Sequence, residues 1–361
     1  MTIDLQTDVD ALDLTRVEEF AVTVGTHTAT AKAGAVAYLG DRLGLWQALA
    51  DGHRVDGDRL AHETGIHPRY AREWLATMAA VGYVAHDAES GEFHLPAEHA
   101  AVLAIEDSPA YFAPLFEANV GMFATIDRLV EAYRTGRGVA WAEFHPALTT
   151  GSGRFFETLY RASLVDAWLP ALDGVVEQLE RGARVLDVGC GIGPAVFALA
   201  EAYPRTSIRG VDVDPDSLSI ASATAEARGL GDRVEFDWAD AESDLGDGYD
   251  LVTFFDSFHH VADPVAVARQ AKAALRPGGT LLLVEPRAGD RVEDNLGLAG
   301  ITYYAASALV CVPDALAQGA HEALGGQAGP GRLIELLGSA GFEGARVAAT
   351  ADFNIVIEAR A

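Results

Sequence analysis

Two adjacent histidines, His259 and His260, lie a short step past an aspartate, Asp256, in the run FFDSFHHVADP at 254–264. Imidazole titrates near neutrality, so a histidine at a strand end can take a proton from a hydroxyl, a thiol or an amine. The competing reading is that both rings only pack and hydrogen-bond in the first turn of the helix that follows. A metal held by Asp256 with the two histidines is possible but would need further ligands, and no metal site is expected. A second run, VLDVGCGIG at 185–193, places Gly189, Gly191 and Gly193 between an apolar strand and a helix opening at Pro194. Glycines there let the backbone turn tightly and approach a ligand closely. Dinucleotide-binding folds use such a turn too. Here, however, the spacing is G-x-G-x-G with Pro194 where that fingerprint would continue, and Asp187 sits inside the run, suited to a positive group rather than a pyrophosphate.

Three more acids follow at strand ends. Asp212 closes the next apolar run about 20 residues after the glycines, where doubly wound folds place an acid on ribose hydroxyls; a turn or helix cap is the alternative. Asp240, followed by Ala241, comes after Val234–Asp237 and could accept the exocyclic amine of an adenine, with helix capping again in competition. Glu285 ends LRPGGTLLLVE at 275–285, after the Pro277-Gly278-Gly279 turn.

These residues need a scaffold that brings strand ends to one edge. Strand-like runs fall at Arg184–Val188, Ser207–Val211, Val234–Asp237, Leu251–Phe255, Thr280–Glu285, Ala345–Ala348 and Asn354–Glu358. Helical stretches at Pro194–Ala202, Pro215–Arg228, Pro264–Leu275 and Gly331–Ala340 alternate with them. Short apolar strands alternating with helices predict an α/β fold, a doubly wound, Rossmann-like sheet of seven strands covered on both faces. The last two strands have no helix between them and should pair antiparallel at an edge. Such sheets bind ligands at the carboxyl ends of their strands.

The first half reads differently. Residues 1–15 form a loose acidic tail, and 16–50 are alanine-rich with helical spacing of apolar residues. A helix through Leu60, Ala61 and Thr64, a Gly65-Ile66-His67-Pro68 turn, a helix carrying Tyr70, Trp74, Leu75, Met78 and Val81, and a hairpin about Glu89-Ser90-Gly91 give a winged-helix order. Residues 105–134 and 153–180 read as helical, and Gly136–Gly153 as a loop. The expected domains are thus a mainly helical one over 16–180 and an α/β one over 181–361, with a lid-like insertion at about 287–330.

Net charge is −27 with a pI near 4.6. Such a surface repels phosphate backbones and anionic membranes, so neither nucleic acid nor membrane is an expected partner. The second helix of the winged-helix region offers only Arg69 and Arg72, beside Glu73, and the wing carries Asp87, Glu89 and Glu92. Two cysteines, Cys190 and Cys311, are too few for a disulfide framework. The amino terminus lacks a signal-peptide pattern, and the apolar runs are strand-length. A cytoplasmic location is expected.

Taken as a set, VLDVGCGIG, Asp212, Asp240, the strand end at 254–260 and LRPGG resemble the class I S-adenosylmethionine (SAM)-dependent methyltransferases, over about residues 180–288. The resemblance implies that the glycine turn holds the methionine part of SAM, Asp212 the ribose and Asp240 the adenine amine. The implied cofactor surface comprises Asp187, Gly189, Cys190, Gly191, Gly193, Asp212, Val213, Asp240, Ala241, Phe255 and Asp256. Through TGIHPRYAREWLATMAAVGYV, YYAASALVCVPDALAQGA and LGGQAG the whole chain is similar to the branch with an N-terminal winged-helix domain. That branch implies a homodimer through this domain and a small, natural-product-like acceptor. The more distant plant-type O-methyltransferases carry a His-Asp pair; here His259 falls at the histidine and His260 replaces the acid. The implied function is methyl transfer to a small organic acceptor, with a hydroxyl preferred and S-adenosylhomocysteine (SAH) as coproduct. His259 and His260 are then the catalytic candidates, and Arg291, Tyr303 and Tyr304 of the insertion the substrate contacts. Two other readings keep SAM: an enzyme that rearranges or hydroxylates without methylating, and a SAM-responsive winged-helix regulator. A nicotinamide-dependent oxidoreductase is disfavoured by the missing fingerprint glycine.

Overall fold

A computed structural model describes residues 12–361. The tail expected over 1–15 therefore lies outside the described residues up to position 11, and its end is already helical from Leu14. The described residues divide into two compact units, one up to Phe116 and one from Glu117 to Ala361.

In the first unit a long helix, Leu14–Arg42, starts where the Asp13 carboxylate accepts the Thr15 N–H at 3.1 Å. Short helices follow at Leu45–Ala48, Gly57–Thr64 and Pro68–Ala80. Asp56 caps the Gly57–Thr64 helix and Gly65, at φ 74°, ends it. His67 caps the next, with Pro68 in its first turn. The two-residue strands β1 (Ala85–His86) and β2 (Phe93–His94) pair antiparallel as the wing. Trp46, Leu49, Leu60, Leu75 and Met78 are fully buried among these elements. Gly40 lets two indoles close on the long helix, since a Cβ there would sit 2.6 Å from Trp74. On the Pro68–Ala80 helix Arg69 is ion-paired with Glu73, and Arg72 reaches Asp58 at 2.8 Å. Residues 14–32 of the long helix are all exposed, Leu14, Val17, Phe20, Val22 and Val24 among them.

The second unit is built on β3 (Arg184–Val188), β4 (Ser207–Asp212), β5 (Val234–Trp238), β6 (Tyr249–Phe255), β7 (Leu275–Pro286), β8 (Glu343–Thr350) and β9 (Asn354–Arg360). They form one sheet in the order β5-β4-β3-β6-β7-β9-β8. The pairs among β3 to β7 are parallel, while β9 runs antiparallel to both β7 and β8. This is the expected seven-stranded, Rossmann-like sheet with a reversed edge hairpin. Parallel neighbours need a helical crossover, which β8 and β9 lack. Every residue of β6 is buried, as a central strand covered on both faces requires.

Three expectations are corrected. The segment 136–153 is not all loop: a helix spans Pro146–Ser163, capped where His145 Nδ1 accepts the Ala147 N–H at 3.2 Å. Its Gly153 marks close packing rather than a turn. A Cβ on Gly153 would lie 2.2 Å from the Ile192 side chain, and one on Gly121 of the Pro114–Ala124 helix 2.2 Å from the Leu148 backbone N. The helical stretch expected over 105–134 begins only at Pro114 and breaks at Thr125. The helices of 117–181 also sit in the same compact unit as the sheet, earlier than the boundary expected at 180, because Tyr160 packs its ring on Phe255 at 5.2 Å. After β7 the insertion holds helices Leu298–Ala306 and Val312–Ala317 joined by a π-helical turn, Ser307–Cys311. Among the described residues, 298–317 is the one helical stretch long and apolar enough to cross a membrane, by length and composition.

Candidate active site

The carboxyl ends of β3, β4, β5 and β6 open on one cavity of about 190 Å³. At the end of β3 the Gly189 and Cys190 N–H groups still donate to Val211 O of β4, at 2.8 and 3.0 Å. The chain then turns through Gly189 (φ 72°), Gly191 (φ 53°) and Gly193 (φ 88°) into the helix Pro194–Ala202. Gly189 needs its missing side chain, because a Cβ would meet Ser257 at 2.6 Å. Around Gly191 nothing would meet a Cβ, and the backbone faces open space.

Asp212 ties this turn to the next. Its Oδ2 accepts the Gly191 N–H at 2.8 Å and its Oδ1 the Asp214 N–H at 2.9 Å. Capping of the Pro215–Ala227 helix falls instead to Asp214, which accepts from Ser217 N at 3.2 Å. Asp212 is thereby left facing the cavity, and burial raises its pKa. Asp240 also lines the cavity while its Oδ1 accepts the Glu242 N–H at 2.9 Å, so it shapes its own turn. Asp187 is 1% exposed and accepts the Thr253 hydroxyl at 2.7 Å; burial pushes its carboxyl up to about 7.

Asp256 is the one described non-glycine residue at positive φ, 50°. The strained turn is held by its carboxylate, which accepts Tyr160 Oη at 2.8 Å and Asn354 Nδ2 at 2.9 Å. Burial, with the Glu285 charge adding, raises it to about 7. The histidines follow in a short 3₁₀ turn, Phe258–His260. His259 is 3% exposed, with Nδ1 on Glu285 Oε2 at 2.5 Å; the other Glu285 oxygen accepts the Phe258 N–H at 3.0 Å. His260 Nδ1 meets Asp314 Oδ2 at 3.0 Å, and Gln318 Nε2 donates to both His260 O and Asp314. The acid absent beside His259 in the chain is thus supplied in space, by Glu285 from β7 and by Asp314 from the insertion. Cys311 completes a buried cluster with the two rings. Burial opposes charge here, yet Glu285 holds His259 well above its usual range, and the imidazoles lower Cys311 to about 6. Protons in such a group belong to the cluster rather than to one ring.

Of the residues singled out by sequence, Asp187, Gly189, Cys190, Gly191, Asp212, Val213, Asp240, Ala241, Phe255, Asp256 and His260 line the cavity. Gly193 and His259 stand behind this wall. Arg291, Tyr303 and Tyr304 are not brought to it: the Arg291 guanidinium is spent on Glu293 and Asp294, the Tyr303 hydroxyl donates to Phe353 O, and Tyr304 is half exposed beside Asn295. Asp314 and Gln318 are the insertion residues that do reach the cavity, and Trp141, Phe156 and Tyr160 form its aromatic side. The four-residue spacing of Phe156 and Tyr160 signals one helix face, and their rings stack at 5.3 Å. No sequence pattern ties Trp141 or Asp314 to the site.

Comparison with known proteins agrees with this architecture. Residues 179–316 match the family described as a methyltransferase domain, and residues 31–105 match the Rv2258c-like winged HTH domain. The methyltransferase GfsG of Streptomyces halstedii is 36% identical over 131 residues, 34% of this chain and 47% of that protein. The 27-O-demethylrifamycin SV methyltransferase of Amycolatopsis mediterranei is 37% identical over 107 residues, 29% of this chain and 39% of that protein. The chain therefore spans less than half the length of these two relatives. Among solved structures, the mitomycin 7-O-methyltransferase MmcR superposes with a TM-score of 0.71 at 20% identity, over 96% of this chain and 100% of that one. Human N-acetylserotonin methyltransferase in complex with SAM gives 0.69 at 18% identity, over 98% and 99%. At this identity the structures speak for the fold alone, and they do so across the chain. The chain thus carries a methyltransferase domain over residues 179–316 behind an Rv2258c-like winged-helix domain over residues 31–105, on a fold shared with solved O-methyltransferases.

Proposed function

We propose that the chain transfers the methyl group of SAM to a hydroxyl of a small, natural-product-like acceptor and releases SAH. The observation that carries this reading is a single cavity with the glycine turn and the acids Asp187, Asp212 and Asp240 on one side and His260 with an aromatic wall on the other. When bound, SAM supplies an activated methyl that a nucleophile displaces in one step. The Gly189–Gly193 turn and the amino end of the Pro194–Ala202 helix suit a carboxylate. Asp212 suits the ribose hydroxyls, Asp240 the adenine amine, and the buried Asp187 a cationic group. Trp141, Phe156 and Tyr160 suit a flat organic acceptor. Most of the rate then comes from holding donor and acceptor in line. With both imidazoles raised, His260 to about 9, the pair takes up the acceptor's proton at alkaline pH, a contribution of about 10²–10⁴ in rate there.

The test is a panel of hydroxylated aromatic acceptors with SAM, in which methylated product and SAH are counted together. Equal amounts support methyl transfer. Product formed without SAH would replace this reading by a rearrangement or hydroxylation that uses SAM as an electrostatic aid.

The chain acts as a homodimer in this reading. The exposed apolar residues of the Leu14–Arg42 helix, Phe20 and Val24 among them, suit a second copy of the same helix. Light scattering should give twice the chain mass, and Phe20→Glu should return it to one. Nucleic acid has no place here, because Arg69 and Arg72 are already ion-paired with acids. Two free, buried cysteines suit a reducing compartment such as the cytoplasm.

A further inference from the structure

Cys311 has no part in the chemistry described so far. It lies in the π-helical turn Ser307–Cys311, and such turns recur at functional sites. One ring nitrogen of His259, one of His260 and the Cys311 sulfur lie within 4.8 Å of one another. Nδ1 of His259 is held by Glu285 at 2.5 Å and Nδ1 of His260 by Asp314 at 3.0 Å, so Nε2 is the nitrogen each ring has left. A carboxylate on the far nitrogen is what orients a metal-ligating histidine, and here both rings have one.

We propose that His259, His260 and Cys311 form a binding site for one divalent cation of the zinc type. Two imidazoles and a thiolate are borderline-soft donors, suited to Zn²⁺ and unsuited to Mg²⁺ or Ca²⁺, which take oxygen. Tetrahedral zinc, with bonds of about 2.0–2.3 Å, sets these nitrogen and sulfur donors about 3.3–3.6 Å apart. The cluster therefore needs to contract by about 1 Å, within the reach of side-chain rotation. Three protein donors leave one position for water or for an acceptor oxygen, as in catalytic zinc sites. His260 belongs to the cavity wall, so an ion there would assist loss of the acceptor proton as a Lewis acid. That consequence rests on the proposed methyl transfer; the binding of the ion does not.

The full chain, stripped with a chelator, would be titrated with Co²⁺ as a spectroscopic stand-in for Zn²⁺. The expected result is one equivalent bound, with visible bands of a tetrahedral ion and a near-ultraviolet thiolate-to-cobalt band, both removed by added Zn²⁺. Cys311→Ser should abolish the thiolate band, Cys311→Ser and His260→Gln should each weaken binding more than about 100-fold, and Cys190→Ser should leave the band in place. A wild-type chain with no saturable binding at micromolar Co²⁺, or a thiolate band that persists in Cys311→Ser, overturns the site. SAH titration of the same samples separates the outcomes: a chain that binds Co²⁺ through Cys311 but not SAH keeps the metal site and loses the methyltransferase reading. A Cys311→Ser chain that still binds SAH shows that its lost metal is not lost folding, and His260→Gln decides the matter if Cys311→Ser does not fold.

Discussion

Asp212→Ala tests the cofactor side of the cavity most directly. The carboxylate joins two backbone segments, accepting Gly191 N at 2.8 Å and Asp214 N at 2.9 Å. Hydrogen bonds to a charged group contribute about 1.5–3 kcal/mol each where buried. Both N–H groups lie near the cavity, and water replaces part of the loss, so the ligand-free chain should lose about 1–2 kcal/mol. For a unit of this size that lowers Tm by about 2–8 °C. SAH affinity loses more, because the proposed ribose contacts would vanish and the Gly189–Gly193 turn loses its tether. Together these amount to about 2–4 kcal/mol, or roughly 30- to 800-fold in Kd. Asp212→Asn should not rescue binding, since its amide turns a donor toward one of the two N–H groups. Calorimetric titration with SAH, beside a thermal melt, reads both quantities. SAH binding within threefold of wild type in Asp212→Ala would refute the assignment of this acid to the cofactor, and every neighbouring assignment would have to be reopened.

Three further outcomes follow from the same structure. Asp187 and Asp256 are held at about 7, above the usual carboxylate value of about 3.9, so between those values the folded chain binds more protons than the unfolded one. Ligand-free stability should therefore fall as pH rises from about 4 to 7 and level off above, by up to about 1.4 kcal/mol per pH unit for each group. Asp187→Asn should flatten the slope, read as the urea midpoint against pH; an unchanged slope would count against burial as its cause. Tyr160→Phe removes the 2.8 Å donor to Asp256 and should cost about 1–3 kcal/mol, more at pH 8 than at pH 6 because the ionised carboxylate needs that donor most. Melts at the two pH values that shift equally would contradict this. Gly121→Ala drives a Cβ to within 2.2 Å of the Leu148 backbone and should cost about 1–3 kcal/mol, whereas Gly231→Ala, with nothing within 4 Å, should be near neutral in the same melts.

Much of the sheet and of the proposed cofactor edge is written locally. The glycine turn, the acids Asp187, Asp212 and Asp240, and the alternation of strands and helices are short-range patterns, since period and turn chemistry act within a few residues. The glycines of 136–153 misled because a glycine that opens a turn and one that admits a neighbouring helix look alike in sequence. Gly153 belongs to the second kind, with Ile192 against it. The partners of the histidines were not legible at all. Glu285 comes to His259 across 26 positions and Asp314 to His260 across 54. Arg291, Tyr303 and Tyr304 had the right chemistry in the right segment, yet their polar groups are satisfied elsewhere, and Asp314 and Gln318 take the cavity wall instead. The sequence by itself determined which strand ends carry acids and glycines, because those follow from local backbone requirements. Tertiary structure alone decided which side chains meet His259 and His260, because parallel strands with long crossovers juxtapose residues by packing and not by spacing along the chain.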